Sequence, residues 1–205
     1  MSAASPTITS PEDSPAKKSL TTRKPTTPMG KSLKQQLTTT PPKDADGNDI
    51  LVRASAATSE SLVAHVNVYR GNYIGTGAND LNNIRSITYN HIVGRLSGEE
   101  VADYTQTYNA TGEITQTAVN YYAAKDADGN DILVRAKDAT SESLVAQVNV
   151  YRGNYIGTGA GDLANIRSIT YNHIAGRLSG EEVADYTQTY NANGEITQTA
   201  VNYYA

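Results

Sequence analysis

The feature that most constrains this chain is a long internal repeat. Residues 125–205 repeat residues 43–123 at an offset of 82 positions, and seven of the 81 aligned positions differ. A repeat of this length defines the structural unit before any argument from residue propensity. We therefore divide the chain into residues 1–42, a first repeat module at 43–124 and a second at 125–205. The differing positions are Ser55/Lys137, Ala56/Asp138, His65/Gln147, Asn79/Gly161, Asn82/Ala164, Val93/Ala175 and Thr111/Asn193.

The first 42 residues differ in composition from the repeats. They contain all seven prolines of the chain among many Ser, Thr and Lys residues, and they carry a net charge of +4 against −8 for the two repeats. Such a segment has too little apolar surface to offset the entropy cost of ordering, so we predict a disordered tail. A spacer is the simplest role for it. A targeting segment and a site of modification at its Ser-Pro and Thr-Pro pairs are the alternatives.

Composition narrows the class of protein without naming it. The chain has no Cys, Trp or Phe, and all fourteen Tyr lie in the repeats. We therefore expect thin, tyrosine-edged cores that favour packing between copies or between chains. Without a signal-peptide pattern or a membrane span, the sequence predicts a soluble protein, and a place at the cell surface, outside the cell or in an assembly all stay open. The acidic repeats disfavour specific nucleic-acid binding.

Alternation of apolar and polar residues predicts strands in each module. Residues 49–54 and 61–69 alternate with the period of two that a half-buried strand requires. Residues 70–72 contain a turn signal, and we expect a hairpin that returns through residues 73–74. Residues 79–96 fit a helical and a strand pattern equally well.

Residues 97–119 allow two interpretations. The spacing of Ser97 and Glu100 matches a capping box, which predicts a short helix over 97–108 and its counterpart over 179–190. However, Thr- and Tyr-bearing runs at 103–108 and 113–119 flank a four-residue loop that ends in Gly, and this favours a hairpin. We therefore predict a mainly β fold of tandem duplicated, hairpin-rich modules, with an α+β fold as the alternative. Because almost no linker separates the modules, they should touch or share one sheet.

A short motif in each repeat resembles a known family. Residues 108–115 read YNATGEIT and residues 190–197 read YNANGEIT. They resemble the core of the YD repeat of bacterial RHS-type surface and toxin proteins, in which a tyrosine and an acid or amide form a turn before Gly and a strand. Asn109 stands where that family usually has Asp. The resemblance implies a β-rich surface or shell architecture and no catalytic residue.

An acidic run at the start of each repeat has the residues that a calcium ion prefers. Carboxylate and amide oxygens at these spacings resemble the opening of a calcium loop. The EF-hand pattern fails, because Asp49 and Ser55 stand where its Gly and closing Glu belong. A looser calcium site at the joint between modules and a solvated acidic turn are the two interpretations. The candidate ligands are Asp44, Asp46, Asn48 and Asp49, with Asp126, Asp128, Asn130 and Asp131 in the second copy.

No residue set in the sequence has the spacing of an active site. The histidines are His65, His91 and His173, and no pair of them has metal-ligand spacing. We therefore predict a non-enzymatic structural or interaction protein that acts in a surface, matrix or larger assembly. Protein partners or self-assembly, including a homo-oligomer, would serve this role. The alternative is a calcium-dependent binding module that uses the two acidic loops.

Overall fold

The computed structural model describes residues 50–205, which form one antiparallel sheet. The predicted mainly β fold is confirmed, and no α-helix occurs within the described residues. The predictions for the tail at 1–42 and for the first acidic loop lie outside them. The strands are β1 (His65–Tyr69), β2 (Ile84–His91), β3 (Val101–Tyr108), β4 (Ile114–Lys125), β5 (Asp131–Val134), β6 (Val145–Arg152), β7 (Ile166–His173), β8 (Val183–Tyr190) and β9 (Ile196–Val201).

Strands from both repeats belong to the same sheet. The order along it is β1-β2-β3-β4-β6-β7-β8-β9, and β5 pairs with the end of β4. Each neighbouring pair is antiparallel, including β4 and β6, which come from different repeats. The sheet therefore runs without interruption from the first repeat into the second, as the absence of a linker predicted.

The predicted hairpin around residues 109–112 is confirmed, and the alternative helix over 97–108 and 179–190 is wrong. β3 and β4 pair on either side of the turn, with Tyr104 opposite Val119. The residues with capping-box spacing do not begin a helix. Gly98 has a φ of +85°, a left-handed conformation that a right-handed helix cannot contain. The Glu100 carboxylate accepts hydrogen bonds from the Gly98 and Val63 N–H groups at 2.9 and 3.0 Å. This carboxylate stabilises a turn, and the next residues enter β3.

The strand predicted at 49–54 forms in the second repeat and is absent over the described residues of the first. Residues 50–53 have no regular structure and lead into a 3₁₀ turn, Ala54–Ala56, whereas the equivalent residues of the second repeat form β5. β5 pairs with Tyr122–Lys125 at the end of β4. The corresponding positions before the first repeat carry Pro41 and Pro42, which have no N–H group to donate.

The hairpin predicted at residues 70–74 is wrong, although its turn is present. Gly71 has a φ of +63°, but the chain then runs through a loop over 70–83 before β2 begins. Within this loop the Tyr73 hydroxyl donates to the Asp80 carboxylate at 2.5 Å. The loop folds back on itself, and β1 pairs with β2 beyond it. The ambiguous stretch 79–96 contains β2 and no helix.

The largest core cluster contains residues of both repeats. Val119 and Tyr121 come from β4, and the rest come from the second repeat. A smaller cluster in the first repeat contains Ile84, Ile87 and Tyr108. No helix of residues 50–205 has the length and apolar character needed to cross a membrane. The second-repeat members of the large cluster are Tyr151, Ile166, Ile169 and Tyr190.

Candidate assembly interface at the joint between the repeats

The pairing of β4 with β6 is the centre of what we call the joint. Seven residue pairs hold the two strands in register, from Gln116 opposite Arg152 to Tyr122 opposite Val145. The Gly153 N–H donates to the Thr115 carbonyl at 3.0 Å, which continues the ladder past the end of β6. Because the paired strands come from different repeats, this ladder joins the repeats into one sheet.

Two buried polar side chains on the joint, Thr117 and Asn149, have hydrogen-bond partners. The Thr117 hydroxyl, which is fully buried, donates to the Gly153 carbonyl at 2.8 Å. The Asn149 side-chain amide, also fully buried, donates to the Tyr151 hydroxyl at 2.9 Å and the Ala160 carbonyl at 3.0 Å. A buried polar group without a partner costs about 1–3 kcal/mol. The Thr117–Gly153 bond links β4 to the second repeat and therefore favours one register of β4 on β6, whereas the Asn149 bonds hold side chains within the second repeat.

Apolar and aromatic side chains of β4 fill a space beneath the joint. Val119 is 0% exposed and Tyr121 is 1% exposed. They belong to the cluster around Tyr151, onto which Tyr155 and Ile156 of the following loop pack. Burial raises the pKa of the Tyr121 hydroxyl well above its ordinary value. Full burial of Val and Tyr side chains at one strand pairing gives the joint an apolar centre.

A second set of contacts locks the end of the joint. The Arg95 guanidinium donates to the Ala136 and Ala139 carbonyls, each at 2.6 Å. These carbonyls belong to the first residue of the 3₁₀ turn Ala136–Asp138 of the second repeat and to the residue that follows the turn. The Arg135 guanidinium contacts the Asp103 carboxylate at 2.8 Å, with both side chains about three-quarters buried. Two charged side chains of the first repeat, Arg95 and Asp103, thus bind groups of the second.

The outer strands of the sheet are the sequence counterparts of the two joint strands. β1 corresponds to β6 and β9 corresponds to β4, yet each lies at an edge of the sheet. Val201 and Tyr203 are 50% and 92% exposed, whereas their counterparts Val119 and Tyr121 are fully buried. The sheet therefore has the counterpart of β6 at one edge and the counterpart of β4 at the opposite edge.

A groove of about 990 Å³ follows the open edge of β1. In the second repeat the counterparts of three lining residues, namely Tyr151, Ile156 and Ala160, pack in the cluster with Val119 and Tyr121 of β4. The groove is lined by the segment before β1, by β1 itself and by the loop after it. The lining includes Leu62, His65, Asn67, Tyr69, Ile74 and Ala78.

The loop that follows β6 is held by one carboxylate. Asp162 accepts hydrogen bonds from the Tyr155 hydroxyl at 2.7 Å, the Thr158 N–H at 2.9 Å and the Ala164 N–H at 2.8 Å. These donors lower the pKa of Asp162 to about 2, and the Tyr155 hydroxyl contributes most. Because Tyr155 packs against the joint cluster, the ionised carboxylate helps to position the loop over β4.

We expect Asp162→Asn to remove a pH-dependent part of the stability. A carboxyl with a folded pKa of about 2 and an unfolded pKa of about 3.9 stabilises the fold above pH 4, and this contribution disappears as the pH falls from about 4 to 2. The melting temperature of the variant should lie below that of the parent at pH 7, and the gap should narrow between pH 4 and pH 2. A gap that stays constant over this range would show that Asp162 does not carry the effect.

The second acidic loop forms a turn in which Asp126 accepts hydrogen bonds from its own loop. Its carboxylate accepts from the Asp128 and Asn130 N–H groups, both at 2.9 Å, and from the Asn130 amide at 3.0 Å. Asp131 contacts Lys125 at 2.5 Å. Among residues 50–205 no group of three or more His, Cys, Asp or Glu converges as a metal site. The candidate ligands of the first loop, Asp44, Asp46, Asn48 and Asp49, lie outside the described residues.

The calcium hypothesis stays a prediction that melting experiments decide. A bound ion that prefers the folded state raises the melting temperature by mass action. A turn that only satisfies its own backbone leaves the melting temperature unchanged between millimolar calcium and chelator.

The sequence pattern did not identify the residues that build the joint. Thr117, Tyr121 and Asn149 lie in runs that read as ordinary half-buried strands. The signal that could have found them is the missing linker, since a strand that leads directly into the next copy brings its own edge to that copy. The pairing partner of that edge is a tertiary property that local periodicity does not contain.

Comparison with protein-family models, with curated protein sequences and with solved structures gives no match for this chain. The resemblance of residues 108–115 to the YD repeat therefore stays a prediction.

Proposed function

We propose that this chain is a non-enzymatic structural protein whose tandem β modules join edge to edge in a surface, matrix or larger assembly. The observation that carries the proposal is the joint, where β4 and β6 bury Val119, Tyr121 and Tyr151 between the two repeats. A linker between independent domains would leave these side chains in water. The duplication here lengthens one sheet.

The charged side chains of the repeats support a structural role through the groups they bind. Arg70 donates to the Ile84 and Tyr108 carbonyls, and Arg152 makes the equivalent bonds in the second repeat. Glu182 accepts from the Val145 N–H at 2.9 Å, as Glu100 does from Val63. These charges stabilise turns and strand ends in a repeating pattern.

A cooperative joint also suits a load-bearing role. Two modules that share a sheet and a core cluster separate only if the β4–β6 ladder breaks and the buried tyrosines meet water. Flexibly linked modules separate without that cost. We therefore expect the two repeats to unfold as one unit.

Calorimetry of the whole chain tests the proposal. One cooperative unit gives a calorimetric enthalpy equal to the van't Hoff enthalpy, whereas two independent modules of similar size give a ratio near two. We expect a ratio near one at protein concentrations where the chain is monomeric. A ratio near two would contradict a structural role that depends on the joint.

A further inference from the structure

We propose that the exposed β9 edge of one molecule pairs with the open β1 edge of a second copy of this chain and repeats the joint head to tail. The inference rests on the proposed structural function and names its partner. It uses two edges that the sheet leaves unpaired within the described residues. The outward N–H and C=O groups of a strand at the end of a sheet can pair with a further strand.

The two edges carry the sequences of the joint. Residues 198–204 are identical to 116–122, the β4 side, and residues 63–70 match 145–152, the β6 side, at every position except His65 for Gln147. The register of β4 on β6 therefore transfers directly to the two edges. It places Gln198 opposite Arg70 and Ala200 opposite Val68.

The β9 edge already has the conformation that the joint requires. The Asn202 N–H donates to the Asp185 carbonyl at 2.9 Å, and the Tyr204 hydroxyl donates to the Ala184 carbonyl at 2.5 Å. In the first repeat Tyr122 makes the same bond to Ala102 at 2.5 Å. By the alternation of an antiparallel ladder, the next N–H group, that of Val201, points away from β8 toward the open edge.

The receiving edge is also formed before any partner binds. Tyr69 and Tyr73 stand edge to face at 5.4 Å, as Tyr151 and Tyr155 do at 5.3 Å in the joint. Asp80 holds the first loop through the Tyr73 hydroxyl, as Asp162 holds the second through Tyr155. The groove beside Tyr69 is thus the space that Tyr121 occupies in the joint, now open to Tyr203 of another molecule. A preformed site reduces the entropy cost of binding.

The charged contact of the joint, between Arg135 and Asp103, also has counterparts near the two edges of the sheet. Arg53 leads into the 3₁₀ turn Ala54–Ala56 with φ −80° and ψ 164°, and Arg135 leads into its counterpart with φ −80° and ψ 166°. Ala54 is exposed, whereas its counterpart Ala136 is fully buried. Asp185, at the β9 end, is the counterpart of Asp103, which binds Arg135. An intermolecular joint would bring Arg53 of one copy to Asp185 of another.

Pairing of this kind does not close on itself. The contact joins different surfaces of two identical molecules, and such a heterologous contact builds an open chain. Eight strands lie along the sheet of each molecule, and strands are about 4.8 Å apart, so each added molecule lengthens the sheet by roughly 38 Å. Exposed Val201, Tyr203 and Tyr204 become buried at every new joint.

Cross-linking tests the proposed register in the full chain. The protein has no cysteine, so a pair introduced at Val68→Cys and Ala200→Cys is unique. These positions correspond to Val150 and Ala118, which are directly opposite in the joint. Opposite residues in an antiparallel pair have Cα atoms about 4.5–5.5 Å apart, which a disulfide can span. Mild oxidation should give a ladder of disulfide-linked species at multiples of 21.9 kDa.

Two matched variants separate failure of this proposal from failure of the joint. Ala118→Cys with Val150→Cys should form a disulfide within one chain and stay monomeric on a denaturing gel. Val68→Cys with Asn202→Cys shifts the register by two residues and should give a ladder at least about tenfold weaker. An internal disulfide in the first variant without a ladder from the tested pair would overturn the head-to-tail proposal and leave the joint intact. A Val68–Ala200 disulfide inside single chains would also overturn it.

Association of the unmodified chain gives a second readout. Light scattering over increasing concentration should show masses that rise above 21.9 kDa. Tyr203→Ser should raise the dissociation constant by about 30-fold or more, because buried tyrosines dominate interface energies. Thr111→Asn changes an exposed residue of the turn between β3 and β4, away from β1 and β9, to its counterpart in the second repeat, and it should leave association unchanged. Equal loss in both variants, or a monomer at every concentration, would overturn the proposal.

Discussion

Tyr121→Ala is expected to lower the free energy of unfolding by about 3–5 kcal/mol, the cost of removing a large buried aromatic side chain. Tyr203→Ala should change it by no more than about 0.5 kcal/mol, as exposed substitutions do. The two residues occupy the same repeat position, but Tyr121 is 1% exposed and Tyr203 is 92% exposed. Only the joint distinguishes them.

Denaturant unfolding at low micromolar protein concentration measures this difference. Low concentration is needed because association at the β9 edge would add stability that depends on Tyr203. Each variant is the other's control, since the chemical change and the neighbouring residues in sequence are the same. Equal and small effects at both positions would mean that the repeats do not pack through Tyr121.

Gly157→Ala is expected to destabilise the fold by about 2–4 kcal/mol, the second largest effect. Gly157 has a φ of +76°, which costs roughly 1 kcal/mol for a residue with a side chain. An added Cβ would lie 2.5 Å from the Tyr151 hydroxyl. Tyr151 is fully buried and its hydroxyl bonds to Asn149 and to the Asp162 carbonyl, so it has no room to move. Overpacking of this kind costs about 1–3 kcal/mol more.

Gly75→Ala supplies the matched control for the close contact. Gly75 has a φ of +75° and faces Tyr69 in the same way. Tyr69, however, is half-buried on the open β1 edge and can shift into the groove beside it. We expect a loss of about 1 kcal/mol, from the backbone alone. A loss at Gly75 as large as at Gly157 would show that the β1 edge is as tightly packed as the joint.

The local sequence pattern was sufficient to predict strands where both strands of a pair are adjacent in sequence. Thr- and Tyr-bearing runs on either side of the turn at 109–112 predicted β3 and β4, and the structure has them. The period of two in 61–69 predicted β1, although its strand begins only at His65. In these cases the turn fixes the partner, so sequence proximity supplies what periodicity lacks.

Local pattern failed where a side chain binds outside its own segment. The Ser97–Glu100 spacing predicted a helix, but the Glu100 carboxylate bonds to Val63, 37 residues earlier. The run 49–54 predicted a strand in both repeats, but among residues 50–205 that strand forms only in the second repeat, where the end of β4 precedes it. Pairing partners over such distances depend on the assembled sheet, which no local window contains.

The candidate site was the least predictable part. A tyrosine-rich composition and a missing linker indicated that the repeats would pack together, but they did not indicate which strands would meet. Thr117 and Asn149 look like surface residues in an alternating run, and their burial follows only from the pairing of β4 with β6. The acidic loops, on which the calcium hypothesis is based, have a clearer sequence signal than the joint. The second of them, the one that the structure describes, has a less distinctive geometry than the joint.

Hydrogen exchange at single amides tests the joint most directly. The N–H groups of Thr117 and Val119 point toward β6, and those of Thr199 and Val201 are their counterparts at the open edge. At low concentration Thr117 and Val119 should exchange at least about a hundredfold more slowly than Thr199 and Val201, which should slow as concentration rises and molecules pair. Equally fast exchange at Thr117, Val119, Thr199 and Val201 would contradict a continuous sheet through the joint.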